Sequence, residues 1–327
     1  MKEIYYYIII FFVLLIIELV YFRIADRFGI IDRPNERSSH TLITRRGGGI
    51  IFLCGILLWS FLFEGFLTYP WFVAGAILIS IISFFDDIHS IPNRYRITIH
   101  FISIALMLYQ IGVLVLHGWG LFIAIFAIIV ATGIINAFNF MDGINGITGC
   151  YSLAVLLPLD LLNNRYSFTQ QNLIIITIIS VIVFLFFNFR KKAICFAGDV
   201  GSVTIAFVII FLLGLLIKKT NDISYIILLA IYGVDTIMTI IHRLYLRENI
   251  FQAHRKHVFQ LMANELKIPH LIVTSIYFSI QLIISLGLIY CGKYKLLYSI
   301  LVIIILSTLY WAIVKKYYHL HQTKKVK

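Results

Sequence analysis

The sequence contains very little charge for its length. Of its 327 residues, 13% are Asp, Glu, Lys or Arg, whereas about a quarter is usual in soluble domains. Hydrophobic residues make up 61% of the chain. A soluble domain cannot bury this much apolar surface, so the composition excludes that class and indicates a polytopic membrane protein.

Other absences narrow the class further. The four cysteines are scattered and form no CxxC pair, which excludes a disulfide framework. Segments of alternating hydrophobicity, which a membrane β-barrel requires, are missing, and so is the GxxxxGK[ST] spacing of a Walker A loop. The first apolar run is too long for a signal peptide core and no cleavage site follows it, so we predict a retained first span.

What the sequence has instead is long apolar runs separated by short polar loops. Because a membrane-spanning helix needs about 20 apolar residues, we predict an all-α polytopic membrane protein with about eleven transmembrane helices. The runs cover residues 4–22, 48–66, 69–85, 97–116, 120–138, 144–162, 172–189, 202–217, 223–242, 270–290 and 296–314. No linker is long enough to separate domains, so residues 1–327 are predicted to form a single integral membrane domain.

Basic residues predict the orientation. When the loops after runs 1, 3, 5, 7 and 9 are grouped with the C-terminal tail, they hold 21 of the 27 Lys and Arg residues. The positive-inside rule then places these loops in the cytoplasm, the N-terminus outside and the C-terminus inside. The basic residues are spread over short loops, so the net charge of +12 favours anionic lipid or nucleotide as a partner, and not nucleic acid.

A polar ladder follows the fifth apolar run. Asn136, Asn139, Asp142 and Asn145 recur at three-residue intervals. Polar groups at a membrane surface are costly, so they indicate a functional site by default. The predicted orientation places four other polar loops on the same side, and we expect these loops to converge on the ladder.

Carboxylates stand at the ends of two other runs. Asp86 and Asp87 end the third run, where the helix dipole disfavours negative charge, and Asp199 precedes the eighth. Two like charges so close hinder ionisation of one of them, which makes Asp86 or Asp87 a candidate base. Oxygen ligands of this kind suit Mg2+ when substrate phosphates complete the shell. A simpler interpretation of Asp199 is a helix N-terminal cap.

The first and last cytoplasmic loops look suited to anions. Glycines 47–49 follow Arg46, and glycine N–H groups at a helix start can approach an anion closely. A flexible hinge is the alternative interpretation. In the last loop His254 and His257 bracket Arg255 and Lys256, a pattern typical of a phosphate clamp; a zinc site is less favoured because a third ligand is missing.

Together these motifs resemble the polyprenyl-phosphate N-acetylhexosamine-1-phosphate transferases, the MraY/WecA superfamily. The likeness covers five loops in order, from about residue 32 to residue 260. The matching motifs are Ser39-His40 with Gly47–Gly49, Asp86-Asp87, Asn136-x-x-Asn139-x-x-Asp142-Gly143, Phe196-Ala-Gly-Asp199-x-Gly-Ser202 and His254-x-x-His257.

The resemblance implies a reaction. Undecaprenyl phosphate would attack the sugar-bearing phosphorus of a UDP-N-acetylamino sugar, so that UMP leaves and a lipid diphosphate sugar forms. It also implies Mg2+ (or Mn2+) with Asp199 and Asp87 as ligands, and Asp86 or Asp87 as the base. Phe196 would stack on uracil. The implied substrate-binding residues are Asn136, Asn139, Asp142, Phe196, His254, Arg255, His257, His40 and Arg46.

The form of the first and last loops is most similar to the WbpL-like branch, which initiates O-antigen synthesis. Asn145 stands where MraY-type loops carry a second aspartate, and their histidine triplet is absent; both differences argue against a muramoyl-pentapeptide substrate. The resemblance also implies a location in the bacterial cytoplasmic (inner) membrane, in contact with membrane lipids. A WecA-type initiator specific for UDP-GlcNAc is the alternative, and a homodimer is left open.

Two other classes of membrane protein fit the sequence less well. An intramembrane aromatic prenyltransferase needs a second aspartate-rich motif, but the loop around Asp199 has one carboxylate. A transporter would place polar residues near the middle of several spans, whereas here they cluster at one predicted membrane face. Both are therefore less favoured than the transferase.

Overall fold

A computed structural model of the chain describes residues 2–33, 42–115, 117–250, 252, 254–317 and 320. Helices dominate these residues. They are α1 (Lys2–Phe28), α2 (Ile50–Leu62), α3 (Gly65–Thr68), α4 (Pro70–Ile88), α5 (Asn93–Ile111), α6 (Trp119–Met141), α7 (Ile147–Tyr166), α8 (Gln171–Asn188), α9 (Gly198–Thr220), α10 (Ala230–Tyr245), α11 (Val258–Gln260), α12 (His270–Tyr290) and α13 (Lys295–Tyr317). Helical turns at Ile223–Leu229, Leu261–Glu265 and Gly292–Tyr294 adjoin α10, α11 and α13.

Each of the eleven apolar runs overlaps at least one of these helices, although run 48–66 reaches from α2 into α3 and run 97–116 continues past the end of α5. In the described part of the chain, eight helices are long and apolar enough to cross a membrane: α1, α4, α6, α8, α9, α12, and α10 and α13 with their preceding turns. Helix α2 is apolar but shorter. The prediction of an all-α polytopic membrane protein is therefore confirmed, while the number of eleven spans and the orientation stay predictions.

Helix α9 forms the centre of the fold. It packs against α2, α4, α5, α6 and α7, and most of its side chains are buried. Aromatic stacking locks α4 onto it, with the rings of Phe72 and Phe211 3.9 Å apart. Since α9 is surrounded by helices, its first residue, Gly198, is held at a fixed point relative to the ends of α4 and α6.

A small β-structure connects the first loop to the start of α9. Strands β1 (Ile31–Asp32) and β2 (Thr44–Arg45) pair antiparallel, and Arg45 also bridges to Cys195. The glycine run then continues along the same segment: the N–H groups of Gly48 and Gly49 donate to the carbonyls of residues 196 and 197 at 2.9 and 3.0 Å. The first loop is therefore fixed against the residues that precede α9.

Candidate active site

The first turn of α9 is capped by a carboxylate from another helix. Asp87, near the end of α4, accepts hydrogen bonds from the backbone N–H groups of Asp199 (2.9 Å) and Val200 (3.0 Å). Its side chain is completely buried. Helix N-termini leave N–H groups unpaired and favour negative charge there, so Asp87 stabilises the start of α9. The alternative prediction that Asp199 caps α9 is wrong, because Asp87 fills that role.

Arg46 joins Asp87 to Asp199. Its Nε lies 2.6 Å from Asp87 Oδ1, and its Nη2 lies 3.3 Å from Asp199 Oδ1. The Tyr21 hydroxyl donates to the Arg46 carbonyl at 2.5 Å, which ties the arginine to α1. The guanidinium is about a third exposed. It is therefore positioned to meet an anion that approaches Asp199.

Asp86 belongs to a second ion pair beside the first. Its Oδ2 accepts from Arg96 Nη1 at 2.7 Å, and its Oδ1 accepts from the Ile91 N–H at 2.8 Å. The same Arg96 nitrogen lies 3.7 Å from Asp199 Oδ2. Two arginines thus flank Asp199, and Arg96 is a site residue to which sequence reasoning assigned no role. In the sequence, the position of Arg96 ten residues after Asp86, at the start of the next helix, could have indicated this pairing.

The polar ladder reaches Asp199 through Asn139. The Asn139 amide donates to Asp199 Oδ1 at 3.1 Å and to Ser202 Oγ at 3.3 Å. Asp142 accepts from the Thr148 hydroxyl at 2.7 Å. Burial raises the pKa of Asp142 to about 7, against the lowering effect of that hydrogen bond. Asp142 is therefore a carboxyl that can carry a proton near neutral pH.

Asn145, the last member of the ladder, turns away from Asp199. Its side-chain amide donates to the Arg190 carbonyl at 2.7 Å, and its backbone carbonyl accepts from the Thr274 hydroxyl at 2.9 Å. The residue is 5% exposed. Its contacts therefore join the loops before α7 and α9 to α12, which is a structural role.

The glycine run serves close packing. A Cβ atom on Gly49 would lie 2.2 Å from the Cα of Gly201 in α9, so no other residue type fits at Gly49 without displacing the backbone. The N–H groups of Gly48 and Gly49 already donate to backbone carbonyls. The N–H groups of Gly48 and Gly49 are therefore not available to cradle an anion, because their close approach is to the start of α9; an anion contact at Gly47 stays a prediction.

The histidine loop lies next to the ladder. The rings of His254 and His257 are 5.0 Å apart, and the Phe140 ring lies 6.4 and 6.5 Å from them. Burial, and then the neighbouring His257, lower the pKa of His254 to about 3. Without a bound ligand, His254 is thus neutral at physiological pH. Arg255, between them, is partly buried.

Two further predicted residues have different outcomes. Phe196 is partly buried, and its backbone pairs with the Arg45 carbonyl (2.8 Å) and the Gly48 N–H (2.9 Å), so it lies beside the first loop. His40 lies outside the described residues. The structure thus brings Arg46, the paired aspartates, Asn139 and Asp199 into direct contact, with Phe196 and the histidines around them.

Two cavities meet at the ladder. A polar cavity of about 150 Å3 is lined by residues that include Arg96, Asn136, Asn139 and Asp199. On the other side of α6, an apolar groove of about 590 Å3 runs between α6, α10 and α13. Asn136 and Phe140 line both. A polar site and a membrane-level apolar groove are therefore neighbours, separated by one helix.

The residues present limit how a metal ion could bind. Within the part of the chain that the structure describes, no three His, Cys, Asp or Glu side chains are grouped to hold one. Mg2+, however, commonly uses one or two protein carboxylates and substrate phosphates. Asp199 suits this arrangement, because its side chain is 21% exposed and lines the polar cavity.

The chain is similar to a known family and to known proteins. Residues 47–217 match the model of glycosyl transferase family 4. A Bacillus subtilis (strain 168) protein named "probable undecaprenyl-phosphate N-acetylglucosaminyl 1-phosphate transferase" is 28% identical over 316 residues, covering 89% of this chain and 86% of the relative. The undecaprenyl-phosphate alpha-N-acetylglucosaminyl 1-phosphate transferase of Escherichia coli (strain K12) is 27% identical over 262 residues, covering 73% of this chain and 71% of that protein.

Proposed function

This chain belongs to glycosyl transferase family 4, and we propose that it transfers an N-acetylamino-sugar 1-phosphate from a UDP-sugar to undecaprenyl phosphate. One observation carries the proposal. The cavity that contains Asp199, a carboxylate with an arginine on either side, shares two lining residues, Asn136 and Phe140, with the apolar groove. The relatives named above are transferases of this type. Family membership also favours this reaction over a prenyltransferase or a transporter.

The proposed reaction exchanges one phosphoanhydride bond for another. An oxygen of the lipid phosphate attacks the sugar-bearing phosphorus of the UDP-sugar. The bond from that phosphorus to the oxygen shared with UMP breaks, and UMP leaves with the electron pair. The attacking phosphate monoester is largely ionised near neutral pH, so the main task of the protein is positioning and charge neutralisation.

The residues around Asp199 suit that task. Arg46 and Arg96 would neutralise the diphosphate, and Asn139 would keep the carboxylate oriented. Mg2+, or Mn2+, bound at Asp199 would supply further neutralisation of the diphosphate. Asp87, the other proposed ligand, would have to release the N–H donors at the start of α9. We therefore favour Asp199 as the principal ligand.

The remaining predicted residues have proposed roles at the edges of the site. Asp86 or Asp87 would act as the base on the lipid phosphate where one is needed. Phe196 would stack on uracil. The residues proposed to contact the diphosphate or the nucleotide are Asn136, Asn139, Asp142, His254, Arg255, His257 and His40.

The apolar groove suits the acceptor's prenyl chain. It is lined by α6, α10 and α13 within the membrane-spanning part of the fold, and it shares Asn136 and Phe140 with the lining of the polar cavity. A prenyl chain in the groove would place its phosphate beside Asn136. This arrangement explains why a site for two anionic reactants lies at helix ends next to lipid.

Filling the groove is expected to weaken acceptor binding selectively. Gly133 and Gly233 both line it, and a Cβ at either position meets nothing within 4 Å. In Gly133→Leu the new side chain would displace part of the prenyl chain, and the KM for undecaprenyl phosphate should rise by about tenfold, as expected for losing burial of about two methylene groups. Steady-state UMP release with either substrate varied measures this.

The matched control lies on the same helix. Ile129 is 64% exposed on α6 and does not line the groove, so Ile129→Phe should leave both KM values unchanged. A rise in the KM for the UDP-sugar, with no change for the lipid, in Gly133→Leu would contradict the assignment of the groove to the acceptor.

The finer biological assignment is also proposed. We place the protein in a bacterial cytoplasmic membrane as a single integral membrane domain that initiates O-antigen or another surface polysaccharide. The loop forms favour a WbpL-like enzyme that uses a UDP-activated N-acetylamino sugar. The names of the relatives favour UDP-GlcNAc as the alternative donor.

A donor panel tests the function. Purified full-length protein is incubated with undecaprenyl phosphate, Mg2+ and labelled UDP-GlcNAc, UDP-GalNAc or UDP-6-deoxy-N-acetylamino sugars. UMP release together with a labelled lipid product is expected for one class of donor. If no donor in the panel yields UMP, the proposed reaction is wrong. The preferred donor separates the WbpL-like from the WecA-type assignment.

A further inference from the structure

A buried carboxylate on α10 takes no part in the site described above. Asp235 is 4% exposed and lies within the span Ile223–Tyr245. Ten residues separate it from the end of α10, about 15 Å along the helix axis. A carboxylate at that depth is expensive and indicates function by default. Its hydrogen-bond partners show which parts of the chain it connects.

The Asp235 carboxylate joins three parts of the fold. Its Oδ2 accepts from the Tyr277 hydroxyl of α12 at 2.7 Å. Its Oδ1 accepts from the backbone N–H of Val258, at the start of α11, at 3.1 Å, and lies 3.3 Å from His257 Nδ1. The Thr239 hydroxyl, one turn along α10, donates to the same oxygen at 3.3 Å. Asp235 thus fixes the chain where the histidine loop returns to the membrane helices.

His257 is held by this anchor and by a capping box with Gln260, whose Oε1 accepts from the His257 backbone N–H at 3.3 Å. Its side chain is 2% exposed, and Nε2 has no hydrogen-bond partner among the described residues. The ring faces Phe140, which lines the same cavity as Asp199. A buried polar atom without a partner is costly. A substrate group that reached Nε2 would remove that cost.

We propose that Asp235 is a positioning residue: it holds the His257 imidazole beside Phe140 so that Nε2 contacts the diphosphate of the UDP-sugar. This inference rests on the proposed function. Asp235 itself contacts no substrate. Its effect on the reaction passes through His257, whereas its contact with Tyr277 serves the fold. The two effects can be separated by mutation.

A double-mutant cycle makes that separation. Asp235→Ala, His257→Ala and the double variant are purified as full-length proteins, and UMP release is measured with each substrate varied. Asp235→Ala should lower kcat/KM for the UDP-sugar by about 100-fold, the usual cost of misplacing a group by about 1 Å. The KM for undecaprenyl phosphate should not change. The double variant should be no worse than His257→Ala, because both act through one contact.

A matched control separates positioning from folding. Tyr277→Phe removes the partner of the carboxylate on α12 and leaves His257 in place, so it should keep wild-type kinetics. If Asp235→Ala does not fold, Asp235→Asn replaces it, since an amide can keep the Val258 and Tyr277 contacts. Asp235→Asn should lower kcat/KM for the UDP-sugar by a smaller factor, and it should have no effect when His257 is already replaced by alanine. If the loss of kcat/KM in the double variant equals the product of the losses in the two single variants, the proposal is overturned.

A second measurement is independent of turnover. The imidazole 15N signals of His257, assigned by their loss in His257→Ala, should shift in the Asp235 variants and not in Tyr277→Phe. Unchanged signals in the Asp235 variants would overturn the positioning role. An inactive wild-type protein with shifted signals would instead overturn the proposed function alone.

Discussion

Asp199→Asn is expected to lower UMP release by about 100- to 1,000-fold, the usual cost of removing one preorganised electrostatic group from an active site. The amide keeps the shape of the side chain and one oxygen for the donors Asn139 and Arg46. It removes the negative charge that Mg2+ would bind. Since Asp87, and not Asp199, caps α9, folding should be preserved. Activity across a Mg2+ titration and thermal unfolding in detergent measure the two effects.

The same substitution at Asp26 is the control. Asp26 pairs with Arg45 at 2.7 Å, but its side chain is 52% exposed, so the pair contributes little. Asp26→Asn should retain full activity and stability. An Asp199→Asn protein that is folded and releases UMP at the wild-type rate would remove Asp199 from the proposed metal site.

Patterns local in sequence predicted most of the fold. Each apolar run overlaps at least one helix, because a run of about 20 apolar residues has few other stable structures in lipid. The three-residue ladder was also informative: Asn139 was predicted at the site, and it contacts Asp199. In both cases the signal lies within a few turns of one helix.

Features set by tertiary packing were not predictable in the same way. A glycine run before a helix suits either an anion or another backbone, and only the position of α9 shows that Gly49 packs against Gly201. Likewise, Asn145 belongs to the ladder by spacing, yet its amide pairs with the Arg190 carbonyl. The helix ends after Met141, and beyond that point the three-residue spacing no longer places side chains on one face.

The aspartate pair shows the same limit. Sequence reasoning predicted Asp86 or Asp87 as the base and Asp87 as a metal ligand, without separating the directions in which the two side chains point. In the structure, Asp86 pairs with Arg96 of the following helix, ten residues away, whereas Asp87 binds the start of α9, 112 residues away. Adjacent residues on a helix point in different directions, so their different partners follow from packing around α9.

Asp87→Ala is expected to destabilise the protein by about 3 kcal/mol, the lower end of the cost of leaving one partner of a buried ion pair unpaired. The Asp87 carboxylate is completely buried and accepts from Arg46 Nε and from the N–H groups of Asp199 and Val200. Alanine would leave all three donors without it. The start of α9 would lose its cap, and Asp199 would move from its place between the arginines. Activity should therefore fall together with thermal stability in detergent.

Asp86→Ala provides the comparison, because it removes the neighbouring carboxylate from the same helix end. The Asp86 side chain is 11% exposed and meets the Asp199 side chain, but it accepts from Ile91 and Arg96, whereas Asp87 accepts from the backbone N–H groups of α9; Arg96 would keep access to solvent and to Asp199. We expect Asp86→Ala to lower activity with a smaller loss of stability. Equal stability losses in the two variants would contradict the capping role of Asp87. An Asp87→Ala protein that is stable but inactive at every Mg2+ concentration would instead support Asp87 as a direct metal ligand, since its stability would show that α9 does not need the Asp87 carboxylate as a cap.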